Sequence, residues 1–115
     1  MMKLLIFLTL ILVPLITTAQ AREPAGPWKR IRTVSLSWWE KMGMFAVNEH
    51  NKNTRANLEF VRNLEGKEQY DTGARDVLIL EAKDRSGRIV KYEATVFETM
   101  PDGHFFWKLE SFRPI

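Results

Sequence analysis

Cysteine is absent from the 115 residues, there are only two histidines, and no Asn-x-Ser/Thr sequon occurs. Without a thiol there is no disulfide, no thiolate nucleophile and no redox chemistry, so a secreted domain of this size has to hold together by packing alone. With His50 and His104 as the only histidines, a histidine-based metal centre is not expected. No metal ligand set, cofactor or catalytic residue is expected. Long blocks of one charge are missing as well: 17 Lys and Arg alternate with 14 Asp and Glu along the whole chain. That mixture points away from nucleic acid and from a lipid surface. Repeats and low-complexity segments are also lacking.

What is present begins with a leader. Lys3 makes a short positive start, and Leu4 to Ile16 form an apolar run broken only by Thr9 and Pro14. Ala19-Gln20-Ala21 then has the small-x-small pattern of a signal-peptidase site. A spanning helix needs roughly 20 apolar residues, so a membrane anchor is the weaker reading. The expected division is residues 1–21 as secretory signal peptide and residues 22–115 as one domain of 94 residues, secreted and free of the membrane after cleavage.

In the domain, Arg22 to Thr33 carry two prolines and a glycine and read as an extended arm. From Ser35 to Asn51 the pattern becomes helical. Ser37-Trp38-Trp39-Glu40 has the form of a capping box, and Trp38, Met42, Phe45, Ala46 and Glu49 follow at three- and four-residue spacing. Gly43 within that helix costs about 1 kcal/mol relative to alanine, which suggests that another backbone lies close to it, a tolerated surface residue being the alternative. The rest reads as four strands. Leu58, Phe60, Arg62 and Leu64 share one side of the first, Val77 to Leu80 lie in the second, Ile89 to Phe97 form the third, and His104 to Phe112 the last. The predicted fold class is α+β, one N-terminal α-helix packed on a curled antiparallel β-sheet.

In such a meander alternate loops share an edge. The loop Gln69-Tyr70-Asp71-Thr72-Gly73 and the turn Met100-Pro101-Asp102-Gly103 therefore fall together, and an arm alongside the first strand brings Gly26 to the same rim. Asp71-Thr72-Gly73 spells the triplet of aspartic proteases. Those enzymes set it at an apolar strand end, whereas Lys67-Glu68-Gln69 precede it here, and Asp and Gly are ordinary turn residues. Glu49 and His50 read as helix-end residues, not a catalytic pair.

Met42 to Asn51, "MGMFAVNEHN", resembles the helix signature of plant cystatins, Leu-Ala/Gly-x-Phe-Ala-Val-x-Glu-His-Asn, with Met42 in place of the common leucine. "LEFVRNLEGKEQ" at 58–69, "LILEAKD" at 78–84, "YEATVFE" at 92–98 and "LESFRPI" at 109–115 extend the resemblance along the domain. It implies a cystatin-like fold, with a five-stranded sheet whose first strand lies in the arm. It also implies a reversible inhibitor of papain-like cysteine proteases, not an enzyme. The family's wedge has three parts: an arm glycine, matched by Gly26; a Gln-x-Val-x-Gly hairpin, matched by Gln69 and Gly73; and a second hairpin carrying Pro-Trp. The protease-binding residues so implied are Gly26, Gln69, Tyr70, Asp71, Thr72, Gly73, Met100, Pro101, Asp102 and Gly103. A monomer is expected, with domain swapping through the first hairpin as the dimeric form open to this fold.

Three positions depart from the pattern. Asp71 stands where the family has valine. The second turn is two residues longer and no tryptophan aligns in it, while Trp107 belongs to the last strand and its core. Pro27 follows Gly26 and removes a backbone donor. The expectation is a weakened or retuned inhibitor; the alternative is a non-inhibitory secreted binding module with a different partner.

Overall fold

A computed structural model of the protein describes residues 26–100 and 103–115. The expected leader, residues 1–21, and two expected contact residues, Pro101 and Asp102, lie outside the described residues. The elements are β1 (Lys29–Arg30), α1 (Ser37–Thr54), β2 (Glu59–Tyr70), β3 (Ala74–Lys83), β4 (Ile89–Thr99) and β5 (Phe106–Pro114). The five strands form one antiparallel sheet in the order β1-β2-β3-β4-β5, and α1 packs on it, as the α+β reading requires.

The core lies between α1 and the middle strands. Met42, Ala46 and Val47 from the helix meet Leu78, Leu80 and Ala82 of β3 and Ala94 and Val96 of β4, all fully buried. Trp39, Phe45, Phe60, Tyr92, Trp107 and Phe112 close its margins. The helical stripe is thus centred on Met42, Ala46 and Val47, while Trp38 at its start stays 43% exposed.

The capping box does not form. Leu36 is the N-cap with extended backbone and no side-chain cap, its carbonyl accepting from the Glu40 N–H at 3.0 Å. Ser37 is already the first helical residue, one position too late to cap. The far end is tied twice. Arg55 takes the left-handed conformation (φ 61°) and donates its N–H to the Asn51 carbonyl. The Asn51 side chain accepts from the Leu58 N–H at 3.0 Å and donates to the Leu58 carbonyl at 2.9 Å. Each of these part-buried bonds is worth about 1 kcal/mol. Asn51→Ala is therefore expected to destabilise the fold by about 2 kcal/mol, read as a lower urea midpoint at unchanged slope. Glu49 pairs with Lys52 at 3.4 Å, and the His50 ring stacks on Phe112 at 4.2 Å between centroids, so the two do not work together.

β2 is not a simple alternating strand. Its pairing with β3 slips between Phe60 and Arg62 and again between Asn63 and Glu65, leaving Val61 and Leu64 as extra residues. The two bulges bend β2 around the helix. Arg62 is consequently exposed and bonded to Glu81, instead of sharing a face with Phe60 as strict alternation predicts. Phe60 and Asn63 turn toward Gly43, where an added Cβ would come within 2.5 Å of the Phe60 ring and 2.6 Å of Asn63 Oδ1. The close neighbours of that glycine are side chains.

Candidate functional site

The arm, the first hairpin and the end of β4 converge on one edge of the sheet. Gly26 donates its N–H to the Tyr70 carbonyl at 2.9 Å, and Gln69 Nε2 donates to the Gly26 carbonyl at 2.9 Å. This pair of bonds pins the arm glycine to the end of β2. β2 runs on to Tyr70, so Gln69 and Tyr70 are strand residues and the tip is Asp71-Thr72-Gly73 alone, closed by the Asp71 N–H on the Gly73 carbonyl at 2.8 Å. Gly73 lies flat on β4, so close that a Cβ would overlap the Glu98 carbonyl. Met100 follows at the end of β4 and is 61% exposed, and Gly103 turns with φ 78°. Gly26, Gln69 to Gly73 and Met100 thus lie along one rim.

Asp71 and Thr72 are exposed at the tip, and Tyr70 is exposed beside them. Glu68 holds the proton on the Tyr70 hydroxyl and raises its pKa. Arg75 holds its proton more firmly than usual, first through its bond to Glu110 and in smaller part through the field of Asp71. That guanidinium is engaged on the outer face, donating to Glu110 at 2.7 and 3.2 Å and lying over the Phe97 ring.

Two aromatic residues that were not expected at the rim stand beside it. Trp38 and Phe105 meet edge to face at 5.1 Å, both nearly half exposed, while Trp107 lies behind them against Trp38 and Phe45. Trp107 packs on the core, as its strand position predicts. The signal for the pair was the run His104-Phe105-Phe106-Trp107, too aromatic for a strand with one buried face. Trp28, in the arm, lies under the Lys67 ammonium at 4.7 Å.

Beneath the tip is an open groove of about 730 Å³ lined by Trp38, Tyr70, Asp71, Glu68, Glu98 and Phe105, among others. Its floor is acidic. Glu68 and Asp76 are directly opposed on β2 and β3, and Glu98 sits two residues along on β4, opposite Ala74. Asp76 is fully buried, and burial first, then Glu98 and Glu68, push its pKa up to about 11. Its place could have been read from the alternation Ala74, Leu78, Leu80, Ala82, which puts residue 76 on the core side.

The bonds at Gly26 carry an expected result. Gln69→Ala removes one of the two and is expected to cost about 1 kcal/mol of stability, with faster hydrogen exchange at the Gly26 and Ile31 amides while the core amides keep their protection.

A family model described as aspartic acid proteinase inhibitor matches residues 31–115. Cysteine proteinase inhibitor 5 of Arabidopsis thaliana is 34% identical over 95 residues, covering 83% of this chain and 76% of its own length. Cysteine proteinase inhibitor 1 of Actinidia chinensis var. chinensis is 35% identical over 95 residues, covering 82% and 78%. Cystatin-1 of Zea mays is 36% identical over 77 residues, covering 66% and 54%.

Proposed function

The chain belongs to the plant cystatins, and to the aspartic acid proteinase inhibitor family among them, and on that premise we propose that it is a secreted, reversible inhibitor of papain-like cysteine proteases. The rim formed by Gly26, Gln69–Gly73 and Met100 enters the active-site cleft as a wedge. The observation that carries this reading is the pair of hydrogen bonds between arm and hairpin, Gly26 N–H to the Tyr70 carbonyl and Gln69 Nε2 to the Gly26 carbonyl, which ties the two parts into one edge. A wedge held rigid before contact loses little conformational freedom on binding.

The tip is retuned. Asp71 brings a carboxylate where the family places an apolar side chain, and Phe105 against Trp38 supplies apolar surface next to a second turn that lacks tryptophan.

A second reading is inhibition of aspartic proteinases, favoured by the description of the family model and by the acidic tip. One panel separates the two. The Arg22–Ile115 chain is titrated against a papain-like protease and a pepsin-like protease with chromogenic peptide substrates. Inhibition of the first alone supports the primary reading, and inhibition of the second alone transfers the wedge to the aspartic class. No inhibition of either sinks both and leaves a cystatin-fold binding module.

A further inference from the structure

We propose that Glu68, Asp76 and Glu98 together bind a hard divalent cation of the Ca²⁺ class at the floor of the groove beneath the first hairpin. The site does not depend on the inhibitor reading.

The geometry comes first. One carboxylate oxygen from each of the three residues lies within 4.8 Å of the other two. Ca²⁺ takes oxygen ligands at about 2.3–2.6 Å, so two ligands on opposite sides of one ion stand about 5 Å apart, and all three groups reach a common centre. An all-oxygen, all-anionic donor set suits a hard cation and not zinc or copper. Ca²⁺ fits better than Mg²⁺, whose shorter bonds and strict octahedron tolerate less spread.

The second observation is Asp76 itself. It is fully buried, faces the other two carboxylates, and among the described residues neither of its oxygens has a hydrogen-bond partner. A buried carboxylate without a donor costs several kcal/mol. Glu68 and Glu98 can only accept, so the one relief within the cluster is a proton on Asp76 shared with them, the place that a cation would take. Trp107 Nε1 donates to Glu98 at 3.2 Å, not to Asp76. The guanidinium next in sequence, Arg75, is committed to Glu110 on the opposite face of the sheet. A central strand whose inward positions otherwise read Ala74, Leu78, Leu80 and Ala82 would be expected to carry an apolar residue here. A cation satisfies all three groups at once.

Access is direct. Glu68 and Glu98 line the open groove, whose water can complete the coordination shell, and Asp76 lies behind them. Because β2, β3 and β4 each give one ligand, a bound ion would clamp the three strands under the rim. Burial favours the protonated Asp76, so the ion has to displace a proton and its affinity falls in acid.

Terbium luminescence tests this without any protease. Trp107 touches the site through Glu98 and serves as the sensitiser. At neutral pH the Arg22–Ile115 chain is expected to give sensitised Tb³⁺ emission that saturates at one ion per chain and is displaced by Ca²⁺. Ca²⁺ alone is expected to raise the unfolding midpoint. Asp76→Asn and Glu98→Gln, each of which removes a charge and keeps the shape, are expected to abolish both responses while the chain stays folded by circular dichroism. Emission that survives both substitutions would place the ion elsewhere on the surface and overturn the proposal. So would a midpoint that ignores Ca²⁺ and rises only with acid, which would make the cluster a proton-sharing one.

Discussion

Asp71→Val is expected to tighten inhibition of a papain-like cysteine protease by roughly a hundredfold. In the proposed wedge the tip of the first hairpin enters the cleft, and Asp71 is exposed at that tip. Inside a cleft the carboxylate loses its water beside a thiolate, and burying an unpaired charge costs several kcal/mol. Arg75 offers little relief, because its guanidinium already serves Glu110 with two hydrogen bonds. Taking about 3 kcal/mol as the net cost gives a factor of about a hundred, at 1.4 kcal/mol per decade. The fold is not at stake, since neither the exposed side chain nor the Asp71 N–H bond to Gly73 depends on the carboxylate.

The measurement is the inhibition constant of the native chain and the valine variant against one protease at one pH. Equal constants would show that the aspartate finds a partner in the cleft, and the retuning argument would fail. The same pair assayed on a pepsin-like enzyme reads the second hypothesis. A gain on the cysteine protease combined with a loss on the aspartic one would mean that Asp71 selects between the two classes.

How much of this was legible beforehand differs by element. The order of helix and strands followed from periodicity, because α1 and the apolar centres of β3 and β4 carry unambiguous patterns. The shared edge of Asp71 and Met100 followed from strand order, whereas Gly26 joins it only because the arm pairs with β2. The bulges of β2 were not legible. Val61 and Leu64 are apolar residues in a strand context, and only pairing with β3 shows that they are extra. The helix begins one residue before the capping-box spacing predicts, for a similar reason: Ser37 and Glu40 have that spacing, but the chain reaches helical geometry at Ser37 itself. Asp76 escaped because the apolar run Val77–Leu80 dominates the eye. Alternation through Leu78 and Leu80 leads inward to Asp76, where a charge contradicts the core. Such a local contradiction is where function or strain is expected to reside.

Gly73→Ala is expected to destabilise the fold by about 3 kcal/mol, more than any other single-methyl change at the rim. In cystatins the glycine that closes the first hairpin is readily taken as a sign of close approach to the protease. Here it has a cause within the molecule. A Cβ on residue 73 would overlap the backbone carbonyl of Glu98 and press to 3.0 Å of the Phe97 ring. A flexible side chain can move aside, but Glu98 is part of β4, paired with Ala74 in the sheet. The hairpin would therefore have to lift away from β4. Overpacking of this kind costs typically 1–3 kcal/mol, and the upper end applies when the obstacle is backbone. In a domain of this size about 3 kcal/mol lowers the melting midpoint by roughly 12–24 °C. Gly26→Ala is the control. Its Cβ would meet only the Tyr70 carbonyl at 3.5 Å, an ordinary contact, so stability is expected to change little. If Gly26→Ala weakens inhibition at unchanged stability, the arm glycine is needed by the protease. If Gly73→Ala melts like the native chain, the internal explanation fails, and the glycine's role has to be sought in the cleft.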